Sequence, residues 1–285
     1  MLSLRFPLRL VFLALLAGCS SVPEPGISWQ GRSVKESYRV SRNLIYTPPQ
    51  WPEEIPADLY QPESSGSSPA VLLIHGGGWT GKDGRWQMES IARQLVKRGY
   101  VVLNVTYRLA PKYKYPAPVD DIREALRWMR GHAMEEGIDP DRIAVFGYSA
   151  GGYLAAMAGY TEAAGSIRAV VAGGTPANLS LYPGGDLVPQ FLGGKRDDIP
   201  ERFREASPVN HVSSDSPPTF IYHATADRLV PRQHAWDLIN ALEKQRVSHD
   251  TYWINGRGHI AAFLFPADAV NQSIDFLDRY LKPGS

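Results

Sequence analysis

Residues 142–159 read RIAVFGYSAGGYLAAMAG, a β-branched apolar run that passes through one serine into an alanine-rich, helix-compatible run. The pentapeptide Gly147-Tyr148-Ser149-Ala150-Gly151 fits G-x-S-x-G, the sharp turn that lifts a serine hydroxyl out from between a strand and a helix. Such a turn strains the serine backbone and brings strand and helix too close for larger side chains, a need that Gly147, Gly151 and Gly152 meet. Alone the pattern is weak, since at ordinary glycine and serine frequencies chance produces it in roughly one chain in ten of this length. Its weight depends on what stands before and after it.

Before it stands AVLLIHGGGW (70–79), a buried-strand pattern that ends in three glycines. A serine that attacks a carbonyl creates an oxyanion, and preorganised backbone N–H groups have to meet that charge. A glycine loop lets the backbone approach a substrate without Cβ interference. An HGGG loop after a strand, together with the N–H that follows the nucleophile, supplies such donors in lipases and esterases. They are expected on Gly77, Gly78 and Ala150, with His75 ordering the loop. After it stand PTFIYHATADRLVP (218–231), with Asp227 just past an apolar run, and GRGHIAAF (256–263), with His259 in a glycine-bounded loop. Ser149, Asp227 and His259 follow the chain order Ser…Asp…His, and each lies beyond the end of its own strand, where open α/β sheets carry their sites. In triad chemistry Ser149 is the nucleophile, His259 the general base and then acid, and Asp227 the group that orients the imidazole. His211, His223, His234 and His249 are weaker candidates for the base.

The same alternation runs along the chain. Apolar runs at 70–75, 100–107, 142–147, 168–174, 218–224 and 251–254 read as strands buried on both faces and hence parallel, with an antiparallel edge at 38–46 and 55–60. Helical periodicity is expected over 89–98, 119–136, 231–245 and 268–281. The connection at 175–217 is long, with two Gly-Gly pairs, and is the place for a partial cap over the site.

Taken together, HGGGW, YRLAPKYKYPAPVDDIREALRW (107–128), IDPDRIAVFGYSAGG (138–152), SPVNHV (207–212) and the ATADRLVP…GRGHIAAF pair resemble the α/β-hydrolase fold. Within it, the likeness is to the esterase/lipase branch of hormone-sensitive lipase and the BD-FAE-type carboxylesterases, and it spans residues 55–282. The resemblance implies about eight mostly parallel strands flanked by helices, and hydrolysis of carboxylic esters through an acyl-enzyme. It also marks Tyr107-Arg108 and Asp120-Asp121 as fold-supporting ion-pair residues. Three features depart from the pattern: Tyr148 stands where Asp usually precedes the serine, a large N-terminal helical cap is missing, and the strand before Asp227 ends in His223-Ala224 rather than His-Gly. Trp79, Tyr148 and the segment 181–191 fall where pocket walls are expected.

Composition sets the remaining limits. The chain has 285 residues, is 44% hydrophobic and 21% charged, and carries a formal net charge of +1. Its Lys and Arg residues are scattered, which argues against a nucleic-acid partner. No HExxH, Cys/His cluster or Walker-type loop occurs, so neither a metal nor a cofactor is expected. MLSLRFPLRLVFLALLAGCS (1–20) has early arginines and a short apolar run, and it ends in Leu-Ala-Gly-Cys, which resembles a bacterial lipobox. Cys19 is the one cysteine in the chain. The expected organisation is a signal peptide over 1–18, a tether over 19–35 beginning at a lipidated Cys19, and a hydrolase domain over 36–285. By the same resemblance, the neighbouring Ser20 favours an outer-membrane anchor facing the periplasm. The expected activity is that of a serine carboxylesterase on short-chain, carbohydrate or aryl acyl esters. The alternatives are an amidase, formamidase or peptidase-like hydrolase, and a non-catalytic binding lipoprotein on the same fold.

Overall fold

The computed structural model describes residues 38–63, 66–182, 185–282 and 284. The expected signal peptide, the lipidated Cys19 and the tether lie outside the described residues.

Valine, isoleucine and leucine at consecutive positions give strands with no solvent face, and these strands make the centre of the sheet. β3 (Ser68–Ile74), β4 (Val101–Val105), β6 (Ala169–Gly173) and β7 (Thr219–Ala224) are buried at every position. β5 (Ile138–Tyr148) is buried from Ile143 onward. With β1 (Tyr38–Ile45), β2 (Pro56–Pro62) and β8 (His249–Ile254) they form an eight-stranded sheet in the order β1-β2-β4-β3-β5-β6-β7-β8. β1 and β2 pair antiparallel at one edge, β2 pairs antiparallel with β4, and all other neighbours are parallel. The expected eight-stranded, mostly parallel α/β sheet is therefore present.

The helices cover both faces. α1 (Arg85–Lys97) and α9 (Ala269–Leu281) pack Met88, Leu95, Phe276 and Leu277 on one side. α2 (Ala117–Gly131), α4 (Ala150–Thr161) and α7 (Gln233–Lys244) pack Ile122, Leu126, Leu154 and Leu238 on the other. α4 is buried nearly all round, from Ala150 to Tyr160, which is why its sequence shows no polar stripe.

Two expectations on the helices need correction. The single helix expected over 119–136 is two. α2 ends at Gly131, where the His132 side chain folds back onto the Trp128 carbonyl at 2.9 Å, and a short α3 (Ala133–Glu136) follows, closed by Gly137 in the left-handed region. Pro231 precedes α7 rather than opening it; its carbonyl accepts the His234 N–H at 3.0 Å.

The strand order places the site. From β3 the chain goes outward to β4 and then returns to β5 on the other side of β3, so the crossovers leave β3 and β5 in opposite directions. A crevice opens beyond the strand ends at such a reversal, and ligands bind there in open α/β sheets. The HGGGW loop follows β3 and the GYSAG turn follows β5, so the two motifs flank that crevice. One buried ion pair steadies the loop after β4. Arg108 donates to Asp121 through Nε at 2.8 Å and through its backbone N–H at 2.8 Å, and Trp51 donates to the same carboxylate at 2.8 Å. Asp120, expected to act with it, faces outward to Arg123 at 3.1 Å.

Candidate active site

The turn at Ser149 is built by close packing. Ser149 sits at φ 57°, ψ −122°, a strained conformation for a residue with a side chain. Two backbone bonds hold it there: the Ser149 N–H donates to the Gly173 carbonyl at 2.7 Å, and the Ser149 carbonyl accepts the Tyr153 N–H at 2.9 Å. The first continues the β5–β6 ladder up to the serine, so the strand is rigid until it turns. A methyl group at Gly151 would fall on the Ile74 carbonyl oxygen, and one at Gly147 on the Gly151 carbonyl oxygen. Both glycines are therefore fixed by the contact of strand, turn and helix.

Asp227 and His259 come from two loops tied to each other. The Ala226 N–H donates to the Arg257 carbonyl at 3.1 Å, and the Thr225 hydroxyl accepts the Gly256 N–H at 3.0 Å. Asp227 is 7% exposed; its Oδ1 accepts the N–H groups of Leu229 at 2.9 Å and Val230 at 2.8 Å. Its Oδ2 lies 2.6 Å from His259 Nδ1, and His259 Nε2 lies 2.8 Å from Ser149 Oγ. A carboxylate only accepts, so the imidazole proton belongs on Nδ1, and Nε2 is left to accept the serine hydroxyl. The three residues singled out from the sequence therefore meet in one hydrogen-bonded line.

His259 is not in a loop, as its glycine flanks imply, but is the first residue of α8 (His259–Leu264), capped by Gly258. Sequence reasoning also missed how its backbone is held. Tyr148, read as a pocket wall, donates its hydroxyl to the His259 carbonyl at 2.7 Å and lies 5.1 Å from its ring. A tyrosine before Ser149 thus ties the serine turn directly to His259.

On the other side of the serine, Gly77 and Gly78 adopt φ 110° and 62°, and no hydrogen bond from either N–H is formed among the described residues. Ala150, the first residue of α4, likewise has no intrahelical acceptor for its N–H. His75 orders the loop, as expected: Nδ1 is 2.6 Å from the Gly76 carbonyl, Nε2 is 3.0 Å from the Thr106 hydroxyl, and the ring stacks on Tyr107 at 4.7 Å. The cavity above Ser149 and His259 measures about 660 Å³. Its walls are mainly apolar and include Trp79, Tyr148, Leu187, Leu229, Val230 and Phe263. From the long connection, Pro176, Leu181, Tyr182 and residues 185–188 reach it. Trp79 is more a packing residue than an open wall: it is 3% exposed and stacks on Phe191 at 4.3 Å. Among the described residues no group of His, Cys, Asp and Glu is arranged to hold a metal.

This sheet, with the serine turn after β5 and Asp227 and His259 after β7 and β8, has the α/β-hydrolase architecture. Residues 57–242 match the BD-FAE family model, and the chain belongs to that family. Among curated relatives, it is 30% identical over 200 residues to the "Probable carboxylic ester hydrolase LipM" of Mycobacterium tuberculosis, covering 63% of this chain and 46% of that protein. It is 43% identical over 106 residues to the "Carboxylesterase NlhH" of the same organism, covering 36% and 33% of the two chains. The chain thus spans about half the length of the curated relatives it matches over the longest stretches. Among solved structures, a thermophilic esterase from Thermogutta terrifontis superposes with a TM-score of 0.71 at 24% identity, covering 89% of this chain and 96% of that one. An acetyl ester-xyloside bifunctional hydrolase from Caldicellulosiruptor lactoaceticus superposes with a TM-score of 0.68 at 25% identity, covering 82% and 90%.

The buried histidines give a pH dependence with a definite sign. Burial holds His75 down to about 4, against an ordinary value of 6.5. Burial first, and then His223, hold His234 down to about 4 as well. Both rings are neutral in the fold, whereas an unfolded chain takes up their protons near pH 6.5. Their contribution to stability is therefore full above pH 6.5 and lost as the pH falls towards 4, at about 3 kcal/mol for each ring. In histidine-labelled protein, the ring resonances of both residues are expected to stay unchanged from pH 8 to pH 5 while the unfolding free energy declines below pH 6.5. Titration of either ring near pH 6.5 would contradict the assignment.

Proposed function

We propose that the protein is a serine-dependent carboxylic ester hydrolase. The observation that carries this reading is the line Asp227–His259–Ser149, which ends in a cavity beside the N–H groups of Gly77 and Gly78, neither of which forms a hydrogen bond among the described residues. In the proposed reaction, Ser149 Oγ attacks the acyl carbon while His259 Nε2 takes the hydroxyl proton. The imidazolium that forms keeps its Nδ1–H on Asp227, whose other oxygen is already held by two backbone N–H groups and cannot swing away. The tetrahedral oxyanion is met by the N–H groups of Gly77, Gly78 and Ala150, preorganised by the glycine loop and the start of α4. His259 then protonates the departing alcohol oxygen. Water repeats the sequence on the acyl-enzyme, giving up its proton to Nε2 and releasing the acid and free Ser149.

The substrate class we propose is a short acyl group on a carbohydrate, aryl or other accessible alcohol. The similarity to a hydrolase named for acetyl ester and xyloside chemistry supports this, as does a cavity of about 660 Å³. The same line of residues serves amides, so an ester/amide pair belongs in any substrate panel. We further propose that the domain is held at a bacterial envelope membrane through a lipid on Cys19, a reading supported by the sequence of residues 1–20.

Turnover of p-nitrophenyl acetate or butyrate tests the reaction. Ser149→Ala is expected to lower kcat by about 10⁴- to 10⁶-fold, with thermal unfolding little changed, because the methyl group fits where the serine Cβ already sits. Undiminished activity in that variant would sink the assignment. Separately, Cys19→Ala is expected to move the protein from the membrane to the soluble fraction. A variant that stays in the membrane fraction would contradict the anchor.

A further inference from the structure

Large apolar side chains exposed one at a time are ordinary on a protein surface, whereas a group of them marks a contact surface. Ten such side chains are exposed among the described residues, and six of these belong to one region. Leu181, Leu187, Leu229 and Ile260 line the cavity, between 38% and 62% exposed. Leu264 and Phe265 extend the group outward at 60% and 65%, Leu264 one turn beyond Ile260 on the same face of α8. The group flanks Ser149 on both sides. A methyl group at Gly78 of the glycine loop would meet the Leu187 side chain at 3.2 Å, while Ile260 directly follows His259. From His259 to Ala267 the chain reads HIAAFLFPA, with no acidic or basic side chain besides His259, although Ile260, Ala261, Leu264, Phe265 and Ala267 are all exposed.

Cations stand around this group without acids to pair with. Arg228 lines the cavity, and Arg232 comes one residue after Pro231, which also lines it. Both are exposed, and neither forms an ion pair among the described residues. The Arg232 guanidinium lies over the exposed Trp236 ring at 4.7 Å. Arg257, two residues before His259, donates to the Phe265 carbonyl and likewise meets no acid among the described residues. Against these three cations, Asp186 is the one acid in the cavity lining.

We propose that this rim docks on an anionic lipid surface, with Ile260, Leu264 and Phe265 entering the acyl boundary and the arginines reaching the phosphates. Exposed apolar area supplies insertion, and each arginine close to an anionic surface adds attraction. The apolar stem of an arginine can lie along the inserted residues while its head stays at the headgroups. A folded protein seated on the same rim would close the cavity, whereas a fluid lipid surface leaves it open to esters dissolved there. That choice of occupant rests on reading the cavity as the substrate site of an ester hydrolase. Docking of this kind is separate from a lipid on Cys19: an anchor would keep the domain near a bilayer, and the rim would decide which face meets it.

The test uses the full chain carrying Cys19→Ala, which removes the one native thiol and any lipid on it. A single cysteine is introduced by Phe265→Cys, or by Met134→Cys as the control, and labelled with an environment-sensitive fluorophore. Met134 is 98% exposed on α3, just before β5 begins and so at the end of the sheet opposite the cavity. With vesicles of phosphatidylcholine and phosphatidylglycerol, the Phe265→Cys label is expected to brighten and to be quenched by nitroxides on the acyl chains. The Met134→Cys label is expected to do neither. Adding Arg228→Gln with Arg232→Gln is expected to raise the lipid concentration at half the signal roughly 30-fold, and adding Leu264→Ser to raise it roughly fivefold. No brightening of the Phe265→Cys label, equal brightening of the control, or equal insertion into phosphatidylcholine alone would overturn the proposal. So would a Phe265→Cys label already shielded without lipid in step with protein concentration, the result that a second copy on the rim requires. Insertion is read without turnover. Failure of the hydrolase reading would show separately, as insertion intact in a protein that leaves p-nitrophenyl butyrate uncleaved.

Discussion

The site depends on a backbone conformation held by packing. Ser149 at φ 57° and ψ −122° carries a strain of about 1–3 kcal/mol, which persists only where the surroundings over-determine it. Here they do. The ladder bond to Gly173 fixes the turn from one side, the start of α4 fixes it from the other, and at Gly147 and Gly151 backbone oxygens occupy the space that side chains would need. Relaxing the turn would withdraw the hydroxyl from His259 and redirect the Ala150 N–H. The positions of the Ser149 hydroxyl and the Ala150 N–H are therefore set by one feature.

The remaining parts converge on that point because of the order of the strands. β3 and β5 lie side by side with their crossovers departing in opposite directions, so the glycine loop and the serine turn share a crevice. β7 and β8 pair in parallel from Thr219↔His249 to Ala224↔Ile254, which brings Asp227 and His259 to the same edge. Two cross-loop bonds then set the separation of the Asp227 and His259 loops. Tyr148 joins the two halves, its backbone in the serine turn and its hydroxyl on the backbone of His259. In a site assembled from four strand ends, this bond makes the spacing of Ser149 and His259 depend on one side chain.

Much of this was legible in the sequence, and for identifiable reasons. Strands buried on both faces are continuous apolar runs, so the five inner parallel strands appear in AVLLIH, YVVLNVTY, RIAVFG, RAVVAGG and PTFIYHA; TYWI reads the same way, but β8 is the edge strand and only its Ile254 is fully buried. The reacting groups sit immediately beyond these runs, where a polar residue bracketed by glycine or proline stands out. What was not legible depends on contacts between segments distant in the chain. The break at His132 comes from a ring folding back on Trp128, which periodicity does not register. His259 opens a helix of only six residues, too short to show a pattern. Tyr148 and Trp79 both read as pocket walls, yet one is an anchor for His259 and the other is stacked on Phe191, a partner more than a hundred residues away.

The central claim is that this geometry makes Ser149 a nucleophile. A fluorophosphonate reacts with a serine only when a neighbouring base removes its proton and donors stabilise the oxygen on phosphorus. Intact-mass analysis after exposure to such a reagent is the direct test. The account predicts a single adduct that maps to Ser149 and is lost when His259 is replaced by alanine. An unmodified protein, or an adduct on any other residue, would contradict it.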